Sequence, residues 1–271
     1  MGQVLRFSGV ALSHVGLVRT GNEDSGFVGS HCLVVADGVG GAAAGEVASA
    51  TAAYVVSARS LAQPTAEPVA LLRSAVLLAQ AQVAAGVRTD PARAGMATTL
   101  TAVATDGSTF ALAHVGDSRG YVFREDRLTR VTTDHTLVQR LVDDGHLSEA
   151  DVRQHPRRNV VMRSVNGDLD EPGDVTLLRL ALGDRVLLVS DGLTDLVPEA
   201  RIENLLARYD DDAAVEALVD AALLAGGTDN VTCLLATVVD GNRPTLDLLV
   251  GAARDPRNVV DAAAVRMPRS A

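Results

Sequence analysis

Three nearly apolar runs in this sequence each reach an aspartate: CLVVADG over 32–38, FALAHVGDS over 110–118 and RVLLVSDG over 185–192. Runs of this length and composition fill buried strands. A carboxylate at the end of such a strand is costly unless a positive partner meets it, and a cation is the usual answer. Two further acidic points stand at strand beginnings, Glu23 and Asp24 ahead of 26–28 and Asp229 ahead of 231–239. In an antiparallel sheet the start of one strand lies beside the end of its neighbour. Asp37, Asp117, Asp191, Asp229 and the Glu23–Asp24 pair can therefore converge on one edge of a single core. Taken one at a time, each is ordinary turn chemistry. Three buried strands that end in aspartate exceed what turns require. Ligation by carboxylate oxygens points to Mg²⁺ or Mn²⁺ rather than zinc, and the six histidines are nowhere spaced as zinc ligands.

The composition removes several function classes. A formal charge of −10, no tryptophan and 3% aromatic residues argue against a nucleic-acid partner. All 24 basic residues are arginine, which excludes Schiff-base chemistry and a phosphate-cradling lysine. The stretch from Gly40 to Glu46 has the spacing of a phosphate-binding loop, but Glu46 stands where the lysine belongs and would repel phosphate. Gly116-Asp117-Ser118-Arg119-Gly120 formally matches the serine-hydrolase elbow, with His135, His146 or His155 as possible bases. The elbow needs strand, turn and helix, whereas 121–123 reads as a further strand. Cys32 and Cys233 lie in apolar strand runs and read as core thiols of a reducing compartment. No apolar run approaches about 20 residues and no signal pattern opens the chain, so the expectation is a cytoplasmic protein with no membrane contact.

At 271 residues and 47% hydrophobic the chain can bury a large core, and no linker or repeat divides it. Periodicity predicts strands over 4–17, 26–28, 32–36, 97–105, 109–115, 121–123, 127–131, 175–180, 186–189 and 231–239. Helices are predicted over 45–61, 68–87, 134–145, 198–209 and 211–224, with a capping box at Ser148 opening one more. The stretch 134–173 is too long for a plain connector and reads as functional. The tail from 241 shows weak periodicity and reads as a loosely docked helix or a disordered segment.

In order and spacing, RTGNEDS (19–25), VADGVGGAAAGEVAS (35–49), MATTLTA (96–102), HVGDSRGY (114–121), HPRRNVVMRSV (155–165), LLVSDGLTD (187–195) and GGTDNVT (226–232) resemble the metal-dependent serine/threonine protein phosphatases of type 2C, in their bacterial branch. The resemblance implies an α+β fold, a four-layer α-β-β-α sandwich of two antiparallel sheets with paired helices outside. It implies a catalytic domain over 1–240, a flap over 134–173 and a separate tail over 241–271. The implied activity is hydrolysis of phosphoserine and phosphothreonine by a metal-activated water, without a covalent intermediate. Two Mn²⁺ or Mg²⁺ ions would be held tightly, with a third more weakly.

By motif match, Asp37 bridges the two metals and the Gly38 carbonyl completes one site. Asp191 and Asp229 hold the other, Glu23 and Asp24 act nearby at least through metal-bound water, and Asp117 joins Asp191 at the third ion. Arg19 takes the substrate phosphate. The implied partners are phosphorylated proteins, serine/threonine kinases or their targets among them, and the implied state is a free cytoplasmic monomer. Three positions depart from the pattern. Ala42 replaces a frequent histidine, Ala97 a usual glycine, and Val39 the histidine proposed as general acid in animal-type relatives. Leaving-group protonation then falls to water or another residue. The competing reading is a catalytically silent relative used as a binding module; the intact acidic positions argue against it.

Overall fold

The computed structural model describes residues 4–39, 44–241 and 247–265. The loop Gly40–Gly41–Ala42–Ala43, with its phosphate-loop spacing and the Ala42 departure, lies outside the described residues. One sheet is built from β1 (Leu5–His14), β7 (Arg119–Arg124), β8 (Arg127–Arg130), β10 (Arg185–Val189) and β11 (Val231–Asp240), ordered β1-β11-β10-β7-β8. The other contains β2 (Asp24–Val28), β3 (Cys32–Val39), β4 (Ala97–Thr98), β5 (Leu100–Thr105), β6 (Phe110–Val115), β9 (Asp174–Leu178) and β12 (Leu248–Gly251). Its order is β12-β2-β3-β5-β6-β9, with β4 paired to the end of β3. Every pairing among the described residues is antiparallel.

Side-chain alternation explains the layers. In β11, Cys233 and Leu235 pack outward, while Leu234, Ala236 and Val238 point into the space between the sheets. In β3, Cys32, Val34 and Ala36 pack outward, and Leu33 and Val35 inward. Both faces are covered, so these strands read as continuous apolar runs instead of alternating ones. The outer face of the β3 sheet carries α1 (Gly45–Ala62) and α2 (Pro68–Thr89). The outer face of the β11 sheet carries α5 (Asp191–Thr194), α6 (Glu199–Arg208) and α7 (Asp211–Leu224). The result is the α+β sandwich of two antiparallel sheets between helical layers that the motifs imply.

Helix α1 uses small residues, Ala48, Ala52 and Ala53, to approach its sheet closely. Helix α2 starts where Pro68 fixes the first turn and the Glu67 carboxylate accepts from the N–H groups of Val69 and Ala70. By length and composition α2 passes a membrane-span test, with mean hydropathy 1.4 over its best window. Read as an unbroken apolar run, the same stretch falls short because Arg73, Gln80, Gln82 and Arg88 interrupt it. Leu72, Ala75, Val76, Ala79 and Val83 are fully buried against the sheet, as in the core helix of a folded domain.

Between β8 and β9 lie α3 (Leu137–Asp143) and α4 (Glu149–Val152). Thr136 caps α3 through its hydroxyl. The expected capping box at α4 does not form: Ser148 Oγ donates to the Asp151 carboxylate at 2.5 Å, not accepting from a backbone amide. The tail differs more. It is neither a docked helix nor featureless, because β12 pairs with β2 from Leu248↔Val28 to Gly251↔Ser25. Beyond it, Val260 N–H donates to Thr51 Oγ1 at 3.1 Å and Tyr54 OH donates to the Ala262 carbonyl at 3.1 Å, strapping the chain across α1. This strand is held by main-chain pairing to an open edge, which a side-chain pattern does not reveal.

Candidate metal centre

The register of β2 and β3 places Asp24 directly opposite Asp37. Like charges in directly opposed positions destabilise a sheet. Both residues share the parity of the inward-facing positions, so the pair sits at the open end of the space between the sheets. From the other sheet, Ser190 closes β10 and donates its hydroxyl to Asp24 Oδ2 at 2.7 Å, and Asp191 follows as the first residue of α5. Asp117 lies on the crossover from β6 in one sheet to β7 in the other, where Gly116 adopts a φ of +106° against Thr99. Asp229 precedes β11, the neighbour of β10. Strand ends and strand starts thus meet at one edge.

A cavity of about 160 Å³ opens there, lined by Arg19, Glu23, Asp37, Gly38, Val39, Asp117, Asn159, Val161, Asp191, Asp229 and Asn230. Of the acidic points found in the sequence, only Asp24 is absent from the lining. It is fully buried behind Asp37, and its Oδ1 has no hydrogen-bond partner among the described residues. An unsatisfied buried polar atom costs about 1–3 kcal/mol, and more when charged. Asp37 is fixed through its backbone: its N–H donates to Thr99 Oγ1 at 2.9 Å, and its carbonyl accepts from Thr98 Oγ1 and Thr99 N–H, each at 2.8 Å. Gly38 has no room for a side chain, since a Cβ would lie 2.6 Å from the Gly45 backbone.

The electrostatics agree with this crowding. Burial first, then the charges of Asp24, Asp191 and Asp117, push Asp37 well above the usual carboxylate range. Burial, then Asp117, Asp195, Asp229 and Asp24, do the same to Asp191. Burial pushes Asp24 up to about 6, and burial with the Asp134 charge pushes Asp117 up to about 7. Such a set is a cation site by its chemistry: oxygen donors, negative and short of counter-charge. Among the described residues no group of three or more His, Cys, Asp or Glu side chains stands gathered to hold a metal ion. Mg²⁺ and Mn²⁺ suit such an open arrangement, because a hard octahedral cation keeps several waters and takes only one or two carboxylates.

Arg19 does not point at an empty cavity. Its Nη2 donates to Asp229 Oδ2 at 2.7 Å, with both side chains substantially exposed. An exposed pair of this kind is worth about 0–1 kcal/mol, so either partner exchanges readily for a cation or an anion.

Asn230, which the sequence reading left without a role, is the loop's fastener. Its Oδ1 accepts from Glu23 N–H at 2.7 Å, and its Nδ2 donates to the carbonyls of Val15 and Gly21, each at 2.9 Å. Its only signal in the sequence is its place beside Asp229. The insert over 134–173 is pinned at its far end by Gln80, a fully buried amide on α2. Gln80 donates to the carbonyls of Ser164 and Glu171 and accepts from the N–H groups of Asn166 and Gly167. At the near end Asp134 takes Arg119 in a bidentate pair and also meets Arg130.

The serine-hydrolase alternative fails on geometry. Ser118 is fully buried, its hydroxyl shares a 2.6 Å hydrogen bond with Thr99, and β7 rather than a helix follows. Of the candidate bases, His135 Nδ1 accepts from Gly116 N–H and His155 Nδ1 from Arg157 N–H, and among the described residues neither these nor His146 bonds to the Ser118 hydroxyl.

Comparison with known proteins agrees with this geometry. The family model described as protein phosphatase 2C matches residues 22–225. The serine/threonine protein phosphatase PstP of Mycobacterium tuberculosis is 41% identical over 250 residues, 92% of this chain and 48% of that protein. This chain therefore spans about half the length of that relative. The serine/threonine phosphatase stp of Listeria welshimeri is 34% identical, over 81% of this chain and 91% of its own length. A crystal structure of the PstP catalytic domain in complex with two manganese ions superposes with a TM-score of 0.79 at 39% identity, covering 87% of this chain and all of that one. The chain belongs to the protein phosphatase 2C family.

Proposed function

We propose that this chain is a serine/threonine protein phosphatase that hydrolyses phosphoserine and phosphothreonine esters at a binuclear Mn²⁺ or Mg²⁺ centre. The observation that carries the proposal is a cavity lined by Asp37, Asp117, Asp191, Asp229 and Arg19, with Asp24 buried directly opposite Asp37. Bound divalent cations supply a nucleophilic water at neutral pH and offset charge on the phosphoryl oxygens. Asp37 would bridge the pair, with the Gly38 carbonyl on one ion and Asp191 and Asp229 on the other. Asp24 stands directly behind Asp37, and its free Oδ1 suits contact with a metal-bound water. Arg19 would leave Asp229 for the substrate phosphate, where its planar fork matches two oxygens. Residues 1–240 would form the catalytic unit, with 134–173 as a flap over the cavity. The enzyme would work as a cytoplasmic monomer in signalling, on phosphorylated proteins that include serine/threonine kinases or their targets.

The direct test is hydrolysis of an aryl phosphate and of a phosphothreonine protein with Mn²⁺ or Mg²⁺ and with chelator. Both substrates should turn over only with metal, and a rate that survives chelation ends this reading. Two variants separate the roles around the cavity. Arg19→Ala should raise KM for phosphate esters about tenfold or more and weaken inhibition by inorganic phosphate, with Mn²⁺ affinity little changed. Unaltered phosphate inhibition would return Arg19 to the surface charges.

Asp117→Asn tests the weaker third ion, which Asp117 would hold with Asp191. As a turn residue Asp117 would tolerate asparagine. As a ligand it should lose kcat by about a hundredfold and raise the metal concentration needed for activity, with tight Mn²⁺ binding retained. Wild-type kcat and metal dependence in that variant would leave a two-metal enzyme.

A further inference from the structure

One wall of the cavity is the outer edge of an isolated β-bridge that no other described residue pairs with. Leu137 N–H donates to the Val160 carbonyl at 2.9 Å, and Met162 N–H donates to the His135 carbonyl at 2.8 Å. Thr136 and Val161 between them form an isolated antiparallel bridge. These two bonds make Thr136 and Val161 a non-hydrogen-bonded pair, in which the N–H and C=O of Val161 point to the opposite side of the segment. Neither group has a hydrogen-bond partner among the described residues. Val161 lines the same cavity as Asp37, Asp191 and Arg19.

The surroundings of this rung suit an anionic chain with apolar side chains. Val160 and Met162, on either side of it, are 44% and 47% exposed. Residues 153–163 carry Arg153, Arg157, Arg158 and Arg163 with no acidic residue, in a chain whose net charge is −10. Arg157 is exposed, and Arg158 holds Asp195 only loosely at 3.8 Å.

We propose that Val161 is an edge rung to which the substrate adds its own main chain. The occupant is an extended phosphopeptide segment. One of its residues near the phosphorylated one exchanges N–H and C=O bonds with Val161, the phosphate enters the cavity, and neighbouring side chains rest on Val160 and Met162. This rests on the phosphatase reading and names its substrate class: phosphoresidues in extended, unstructured segments, recognised through backbone groups that every sequence has. A phosphoresidue within a helix is a poor substrate, because its N–H and C=O are already bonded within the helix.

The test uses the wild-type enzyme with Mn²⁺, a phosphothreonine peptide, and a series of its analogues in which one amide at a time is replaced by an ester. The ester removes one donor without adding bulk. An aryl phosphate, which has no peptide main chain, is the control substrate. The expected result is a rise in KM of about 5–10-fold at one position near the phosphothreonine, the loss of one hydrogen bond, with kcat kept. The amide on the N-terminal side, which points away from the edge, should give a near-parent value, and the one on the C-terminal side a smaller rise, because its ester weakens the carbonyl that accepts from Val161. A flat series, or equal losses at every position, overturns the rung. Aryl phosphate turnover with a flat series leaves the phosphatase reading standing and removes this inference alone. No metal-dependent turnover of either substrate removes both.

Discussion

Asp37→Asn should lower kcat on an aryl phosphate by about a thousandfold or more, while the metal-free variant melts at a higher temperature than the metal-free parent. The two effects share one cause. Asp37 stands directly opposite Asp24, and burial with the charges of Asp24, Asp191 and Asp117 disfavours its ionised form. Asparagine keeps the shape and removes the charge, so without a cation the sheet edge is relieved. With a cation present the same change removes the ligand that both metals would share. A merely structural Asp37 would give the reverse pattern, a lower melting temperature with activity near normal in the surviving protein. Differential scanning calorimetry in chelator and kinetics in saturating Mn²⁺ check the two effects, and titration of Mn²⁺ into the variant checks the shared ligand. Unchanged Mn²⁺ binding would contradict the bridging role.

Much of this site was legible before any coordinates because the acidic residues interrupt apolar runs, and an interruption of that kind is visible in one dimension. The antiparallel rule then brought strand ends beside strand starts, as the pairings of β2 with β3 and of β10 with β11 bear out. What the sequence could not carry were features whose signal is geometric. Asn230 works through backbone carbonyls that bear no side-chain signature, and Gln80 stands as one amide on an apolar helix face. β12 owes its place to a free edge on β2. The Arg19–Asp229 contact was also out of reach, because motif matching assigned the two residues to different ligands and was silent on how close they lie. The flap shows the same limit. Its length sets it apart from a plain connector, yet the outward-facing N–H and C=O of Val161, unpaired among the described residues, follow from the bridge register alone.

In chelator, the melting temperature should fall as pH rises from about 6.5 to 7.5, and saturating Mn²⁺ should abolish or reverse that fall. An aspartate raised above its ordinary value near 3.9 holds its proton more tightly when folded than when unfolded. Its contribution to stability is complete below that ordinary value and is lost as pH climbs through the folded one. For Asp24 the loss is complete a little above pH 6 and for Asp117 a little above pH 7, and Asp37 and Asp191, held well above the usual carboxylate range, act in the same direction. Histidines oppose this trend in more acidic solution. His114 is lowered to about 4 by burial first, and His135 is lowered by burial and Arg163, so both favour the folded state as pH rises toward about 6.5. The window above that value isolates the carboxylates. One extra proton bound by the folded state changes stability by about 1.4 kcal/mol per pH unit, and each kcal/mol shifts melting by about 2–4 °C in a domain of this size. Metal changes the sign because ligation needs the carboxylates deprotonated, so affinity and the stability it confers grow with pH. Asp37→Asn should flatten the chelator curve by removing one of its titrating groups. A melting temperature independent of pH in chelator, or the same slope with and without Mn²⁺, would mean that these carboxylates are not competing for protons and cations at one site.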